Sequence, residues 1–214
     1  MRVVIKVGGS MATQPEHLKV LMQTISSLCQ EHMIVVVPGG GPFAGQVRES
    51  QRKTGVSDST AHWMAIKAME QFGMLLSQHA PHLETFDGSD ISTRMSEGRS
   101  FILQPYNLLK SKDELPHSWS VTSDSIAVWV AIQVEADSIL LMKSTDELER
   151  SVSNKIDAIP SSIEKDDLDH LEKMGVVDEY LREIHSHFKG QLYLMDGRKP
   201  QILRRLFEKR AERI

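Results

Sequence analysis

Lys6-Val7-Gly8-Gly9-Ser10 sets a positive charge beside two adjacent glycines, directly after the β-branched run Arg2-Val3-Val4-Ile5. Adjacent glycines let a backbone come close to a ligand, and the amides that follow can point at an anion. The chemistry this suits is phosphate binding; the plainer alternative is a tight turn with a surface lysine. A second glycine loop, Pro38-Gly39-Gly40-Gly41, follows a second apolar run at 33–37 and tips the reading toward phosphate. The stretch Trp119-Ser120-Val121-Thr122-Ser123-Asp124-Ser125-Ile126-Ala127 adds a carboxylate among hydroxyls. Thr122 or Ser123 can cap the helix that begins there, which places Asp124 in its first turn. In that position Asp124 either complements the helix dipole or holds a lysine ammonium. The crowding of Ser120, Thr122 and Ser123 favours a polar pocket and the second role. Finally, Lys143-Ser144-Thr145-Asp146 closes an apolar run at 138–142.

These groups need elements to position them. Thr13-Gln14-Pro15-Glu16 has the form of a capping box with Thr13 as N-cap, and Leu18, Leu21, Met22, Ile25, Leu28 and Cys29 then recur at helical spacing. A short helix carrying Gln46, Val47 and Arg48 follows the second glycine loop. Strand, loop and helix thus alternate twice, the pattern of a parallel sheet whose ligands bind beyond the carboxyl ends of its strands. The strongest helix is read over 57–79, with Ala61, Met64, Ala65, Ala68, Met69, Phe72, Leu75 and Leu76 as its apolar stripe. His62 lies at the edge of that stripe, either as a satisfied boundary histidine or as a ligand contact. The section 81–118 is less regular, with a strand at Phe101–Leu103. Residues 147–169 form a polar segment suited to covering a nucleotide. Two helices stopped by Gly175 and Gly190, a strand at 191–195 and a last helix from Pro200 complete the chain. Arg204, Arg205, Lys209 and Arg210 in that helix are balanced by Glu208 and Glu212, as on a solvated face.

Composition narrows the classes. The chain of 214 residues is one domain or two small lobes, and a net charge of −4 gives no footprint for nucleic acid or an anionic membrane. No apolar run approaches the ~20 residues of a membrane span, and a cytoplasmic protein is expected. Cys29 is the single cysteine, read as a buried thiol; it leaves no intrachain disulfide and no multi-cysteine metal site. His185 and His187, two apart, fall on different helix faces, and no metal site is expected. Neither Gly-x-x-x-x-Gly-Lys-Ser/Thr nor Gly-x-Gly-x-x-Gly occurs, so a phosphoryl-transfer enzyme here belongs to neither the P-loop nor the protein-kinase group.

In their order along the chain, Lys6-x-Gly8-Gly9-Ser10, Pro38-Gly39-Gly40-Gly41, Thr122-Ser123-Asp124 and the run at 140–146 resemble the amino acid kinase superfamily. Phe43-Ala44 before Val47-Arg48, His62-Trp63-Met64-Ala65-Ile66, and the Trp119–Ala127 phrase look most like its aminomethylfuran phosphate kinase branch, of methanofuran biosynthesis. The resemblance implies a three-layer α/β/α sandwich on a mostly parallel sheet, assembled as a dimer or a multiple of dimers. It divides the domain into an acceptor half, about 1–135, and a nucleotide half, about 136–214. ATP and Mg²⁺ are the implied cofactors, and a small phosphate monoester converted to a diphosphate the implied reaction. Lys6 would stabilise the transferring phosphoryl group and Asp124 would orient Lys6. Gly8 and Gly9, with Ser10 beside them, would meet the ATP phosphates, and Lys143, Ser144, Thr145 and Asp146 would line the nucleotide pocket. Gly39, Gly40 and Gly41 would face the acceptor, joined by Ser120 and Thr122. Arg48 and His62, following that loop, are the nearest candidates for the acceptor's phosphate oxygens.

The sequence departs from the superfamily in places. The late Gly-Met-x-x-Lys phrase is replaced by Met174-Gly175-Val176-Val177-Asp178, without a lysine. The Asp-Val-Asp-Gly of the nucleotide loop becomes Ser144-Thr145-Asp146-Glu147, and the terminal Gly-Thr phrase is absent. Lys143 is the candidate to supply the missing charge. Two other readings stay open: an isopentenyl phosphate kinase-like enzyme, and a non-catalytic nucleotide-binding storage or regulatory protein on the same fold.

Overall fold

A computed structural model describes residues 1–144 and 162–211, the side chains of 210 and 211 excepted. The apolar runs form β1 (Arg2–Val7), β2 (Met33–Pro38), β3 (Glu84–Phe86), β4 (Phe101–Leu103), β5 (Ser138–Lys143) and β6 (Gln191–Asp196). They make one six-stranded sheet in the order β3-β4-β2-β1-β5-β6, and every pairing is parallel. Burial on both faces is what a parallel sheet requires, and it explains why β1, β2 and β5 read as unbroken apolar runs.

The pleat divides those runs between two cores. Val3, Ile5, Val7, Ile34, Val36, Leu140 and Met142 face Leu18, Leu21, Met22 and Ile25 of α1 (Pro15–Leu28) and Leu203, Leu206 and Phe207 of the C-terminal helix α9 (Pro200–Ala211). Val4, Val35, Val37, Ile139 and Leu141 face the opposite layer. That layer includes α3 (Asp58–Ser77), α4 (Ile91–Ser96), α5 (Tyr106–Lys112), α6 (Ser123–Gln133), α7 (Lys165–Lys173) and α8 (Leu181–His185). Each fully buried aliphatic side chain contributes about 1.5–3 kcal/mol, so the two cores hold the sheet as a rigid floor. The architecture is the expected three-layer α/β/α sandwich.

Chain order reverses direction across this sheet. From β1 the chain moves outward through β2 to β4 and β3, then returns to place β5 on the other side of β1. The carboxyl ends of β1 and β5 therefore flank the switch point, where open α/β sheets bind ligands.

Several local expectations are corrected. A 3-10 turn at Gly9–Thr13 stands between the first glycine loop and α1, so Thr13 is not the cap; its hydroxyl donates to the Ser10 carbonyl at 2.9 Å. Gln14 takes the N-cap position with no side-chain bond. On α3, Met64 and Leu75 are exposed while Ile66 packs inside, because the helix presents a narrower face to the sheet than its apolar stripe allows. Glu84–Phe86 is an additional three-residue edge strand, with little burial and no alternation to mark it in sequence. Gly190 does not stop α8, which ends at His185. Gly190 instead permits close approach: a Cβ there would lie 2.7 Å from the Asp137 carbonyl oxygen. Cys29 is half-buried, and its burial pushes the thiol up to about 11.

Candidate functional site

Lys6 and Lys143 are brought together by register. Lys6 pairs with Leu141 across β1 and β5, so Lys143, two residues further on, faces the same side of the sheet. On that side lies the first turn of α6, with Asp124 buried between the two strands' ends. Lys6 Nζ lies 2.7 Å from Asp124 Oδ1, and Lys143 Nζ donates to Oδ2 at 2.5 Å. The Lys6 contact is one of charge and proximity, since Oδ1 accepts no well-aligned hydrogen bond among the described residues. Burial alone would raise the Asp124 pKa; the Lys143 and Lys6 ammonium groups outweigh it and bring it down to about 2. Burial lowers the Lys6 pKa, with Asp124 opposing and Lys143 adding to the effect. With both lysines protonated the trio carries one net positive charge at the switch point.

The two glycine loops meet beside it. Gly8 donates its amide to Met142 O and Gly39 to Val7 O, both at 2.8 Å, which ties each loop to a neighbouring strand. A Cβ on Gly39 would lie 2.6 Å from Gly9 N, and one on Gly9 would lie 2.6 Å from Gly41 N. Only bare backbone allows this contact. Gly41, at φ +55°, also takes a conformation that L side chains rarely adopt. The amides of Gly9, Gly40 and Gly41 make no hydrogen bond among the described residues. The Gly8 amide, expected to meet a phosphate, is already held by Met142; Gly9 has the free one. Gly41 opens α2 (Gly41–Thr54), whose N-terminal dipole favours an anion at the same point.

Asp178 holds the start of α6. Thr122 is the N-cap by position but makes no capping bond with its side chain. Instead Asp178 Oδ2 accepts from Thr122 N at 2.9 Å, Thr122 Oγ1 at 2.7 Å and Ser125 N at 3.1 Å, and Oδ1 accepts from Ser125 Oγ. Burial and the Asp124 charge raise the Asp178 pKa against these hydrogen bonds. In sequence, Asp178 stands out only as the end of the stretch that lacks the superfamily's late lysine. A carboxylate capping a helix 53–56 residues away leaves no local signature.

A cleft of about 90 Å³ adjoins the glycine loops, lined among others by Gly40, Arg48, Asp58, His62, Trp119 and Thr122. The Arg48 guanidinium lies 3.8 Å above the Trp119 ring and makes no hydrogen bond or ion pair among the described residues. His62 is buried and stacks on His117 at 4.4 Å between ring centroids. His117 is itself fixed, with Nε2 2.8 Å from Asp113 Oδ1 and Nδ1 2.8 Å from Ser59 Oγ. Burial, followed by the neighbouring His117, lowers the His62 pKa to about 4. His62 is therefore neutral at pH 7.

Most of the residues singled out in sequence thus converge on the carboxyl ends of β1, β2 and β5. Ser120 does not line the cleft; its hydroxyl lies 2.5 Å from that of Ser118, which does. Gly39 packs against Gly9 and is not a lining residue of the cleft. Ser144 is buried directly after Lys143. Thr145 and Asp146 lie outside the described residues, as does most of the polar segment 147–169. Unforeseen members are Asp178, His117, Gln51 and Asp58.

With this geometry in place, a model of the amino acid kinase family matches residues 1–185. The chain is 27% identical over 209 residues to the [5-(aminomethyl)furan-3-yl]methyl phosphate kinase of Methanocaldococcus jannaschii, covering 96% of this chain and 92% of that protein. It is 32% identical to the uridylate kinase of Archaeoglobus fulgidus over 82 residues, 38% of this chain and 37% of that one. Among solved structures, it resembles the uridylate kinase from Archaeoglobus fulgidus with TM-score 0.65, 21% identity and 92% of each chain covered. The UMP kinase from Ureaplasma parvum gives TM-score 0.69 at 17% identity, over 98% of this chain and 95% of that one. Both structures bear on the fold. No described helix is long and apolar enough to cross a membrane.

Proposed function

The chain belongs to the amino acid kinase family, and from that premise we propose that it transfers the γ-phosphoryl group of ATP to a small phosphate monoester. The acceptor class it fits best is an aminomethylfuran methyl phosphate, the substrate named for its relative across 96% of the chain. The observation that carries the reading is the grip of Lys6 and Lys143 on one buried carboxylate, beside two glycine loops in backbone contact.

The chemistry follows from charge. A phosphate monoester has a second pKa of about 6, so at neutral pH the attacking oxygen carries no proton and no general base is needed. The acceptor oxygen forms a bond to the γ-phosphorus as the bond from that phosphorus to the β,γ-bridging oxygen breaks. ADP leaves with the electron pair, and the product is a diphosphate. Asp124, ionised and held by two ammonium groups, is no base here. Its work is to fix Lys6 and Lys143 where negative charge crowds between donor and acceptor. The free amides of Gly9, Gly40 and Gly41 add donors that need no reorganisation, and the contact of Gly9 with Gly41 fixes the distance between the phosphates. Arg48 and His62 hold the acceptor's remaining oxygens, His62 as a neutral N–H donor, with Thr122 at the cleft's edge.

Nucleotide binding falls to the β5–β6 side, about 136–214, and acceptor binding to the remainder. No group of three His, Cys, Asp or Glu side chains is poised for a metal among the described residues. With Asp124 engaged by lysines, Mg²⁺ would be carried on the nucleotide's own phosphates, where it screens their charge. A homo-oligomer in the cytoplasm belongs to the same reading; the exposed Met64, Met74 and Leu75 of α3 are apolar surface that a second copy would cover.

A coupled ADP-release assay over aminomethylfuran methyl phosphate, isopentenyl phosphate, UMP and unphosphorylated alcohols tests this. Turnover highest with the furan ester is the expected result. Preference for isopentenyl phosphate or UMP would reassign the acceptor. No ADP release with any of them would leave a nucleotide-binding protein without transfer.

A further inference from the structure

Carboxylates around the site are accounted for in turn. Asp124 is held by Lys6 and Lys143, Asp178 by the start of α6, Asp113 by His117, and Glu70 by Lys67 and the Tyr106 amide. Asp58 is different. It opens α3 and is the one carboxylate lining the cleft that also holds Arg48, His62 and Gly40, among the described residues.

Asp58, exposed at the cleft's rim, is tethered through one oxygen. The Trp119 indole N–H donates to Gln51 Oε1 at 2.5 Å, which leaves Gln51 Nε2 to donate to Asp58 Oδ1 at 2.8 Å. The second carboxylate oxygen of Asp58 has no partner among the described residues. The same Trp119 carries Arg48 on its ring face, so one indole orders a cation and, through Gln51, an anion in a single cleft. A cleft built in this way matches a zwitterionic acceptor, anionic at its phosphate and cationic at an amine.

Resting on the kinase reading above, we propose that Asp58 is the specificity-determining residue that receives the acceptor's ammonium group, with Gln51 as its positioning residue. An ammonium at the open oxygen forms an ion pair of two full charges, whereas a hydroxyl in its place brings a donor but no charge of its own. Discrimination then lies in the carboxylate's charge, not in the cleft's shape. The competing role for Asp58 is complementing the N-terminus of α3, which would act on stability and treat all acceptors alike.

The test compares wild type with Asp58→Asn, which keeps the side chain's size, on aminomethylfuran methyl phosphate and its hydroxymethyl counterpart. Apparent KM and calorimetric Kd are measured for both esters, together with KM for ATP and the melting temperature. Expected is a loss of roughly tenfold or more in KM and Kd for the amine ester, the scale of one charged contact. Values for the hydroxymethyl ester and ATP should stay within about threefold, since the variant's amide oxygen still accepts from a hydroxyl and ATP does not reach this residue. Equal losses on both esters, or no loss on either, overturn the inference, and so does a wild type that binds both esters alike. The kinase reading fails separately. If wild type releases no ADP with either ester, yet Asp58→Asn still weakens calorimetric binding of the amine ester alone, amine recognition stands and transfer does not.

Discussion

Gly9 and Gly41 touch through backbone alone: a Cβ on Gly9 would lie 2.6 Å from Gly41 N and 2.9 Å from its Cα. One loop leaves β1 and the other leaves β2, so this contact joins the donor side of the proposed reaction to the acceptor side. The neighbour is backbone rather than the end of a flexible side chain, and it cannot rotate away. Gly9→Ala must therefore push the loops apart by tenths of an ångström or more.

We expect Gly9→Ala to remain folded, because the sheet beneath is held by two cores independent of the loop tips. Turnover should fall on the order of 100-fold, as misplacement of reacting groups by about 1 Å commonly does. The measurement is kcat beside a melting curve. A variant with a wild-type melting temperature and turnover within about threefold would show that the loop contact does not set the transfer distance.

The two lysines are expected to separate kinetically. Lys6→Met removes a fully buried charge beside the loops, and a fall of about 10²–10³ in kcat is the usual scale for one lost electrostatic group. Lys143→Ala should also lower kcat more than it raises the apparent KM for ATP, since a contact made chiefly in the transition state changes turnover first. Should only the ATP KM rise in the second variant, Lys143 is a nucleotide contact and does not replace the missing late lysine.

How far the sequence showed these features depends on the length scale of each. Lys6, Lys143 and Asp124 were legible because strand ends and a helix start locate them, and parallel-sheet geometry sends all three to one edge. The first helix cap was misread because Thr13 fits a local pattern that the intervening 3-10 turn overrides. Asp178 was invisible for the opposite reason: its partners Thr122 and Ser125 lie more than 50 residues away. The state of His62 turned on burial and then on the stacked His117, both of which only tertiary packing supplies. Local pattern located the site's charges; packing decided their protonation and their partners.

Asp124→Asn should be costly to the fold as well as to transfer. It leaves two buried ammonium groups without a counter-charge, and breaking such a buried pair commonly costs about 3–5 kcal/mol. The pH dependence follows from the carboxylate's lowered pKa of about 2. The unfolded chain binds this proton first as pH falls, so the stabilisation is full above the ordinary Asp value of about 3.9 and is lost on descending toward 2. Denaturant melts of wild type and variant should therefore differ by a constant amount from pH 7 to about 4, and converge below it. A gap that closes already between pH 7 and 5 would mean that Asp124 is not held as the structure has it.

The last expectation concerns His62 and the acceptor's phosphate. Burial and the stacked His117 lower its pKa to about 4, so between pH 6.5 and 4 the unfolded chain holds a proton at this position that the folded one does not. Stability then falls as pH falls through that interval, and His62→Asn should remove part of the slope while leaving stability at pH 7.5 nearly unchanged. A bound phosphate dianion opposes this shift, because a nearby negative charge favours the imidazolium. In a ¹³C-detected NMR titration the His62 pKa should accordingly rise when the acceptor ester is added. Kinetically, Arg48→Ala should raise the acceptor KM by roughly tenfold or more, the worth of a charge-assisted bond, whereas His62, a neutral donor, should cost less. The apparent KM for ATP should barely move in either variant. A His62 pKa unchanged by saturating acceptor, with wild-type acceptor kinetics in His62→Asn, would place the phosphate on Arg48 and the glycine amides without the histidine.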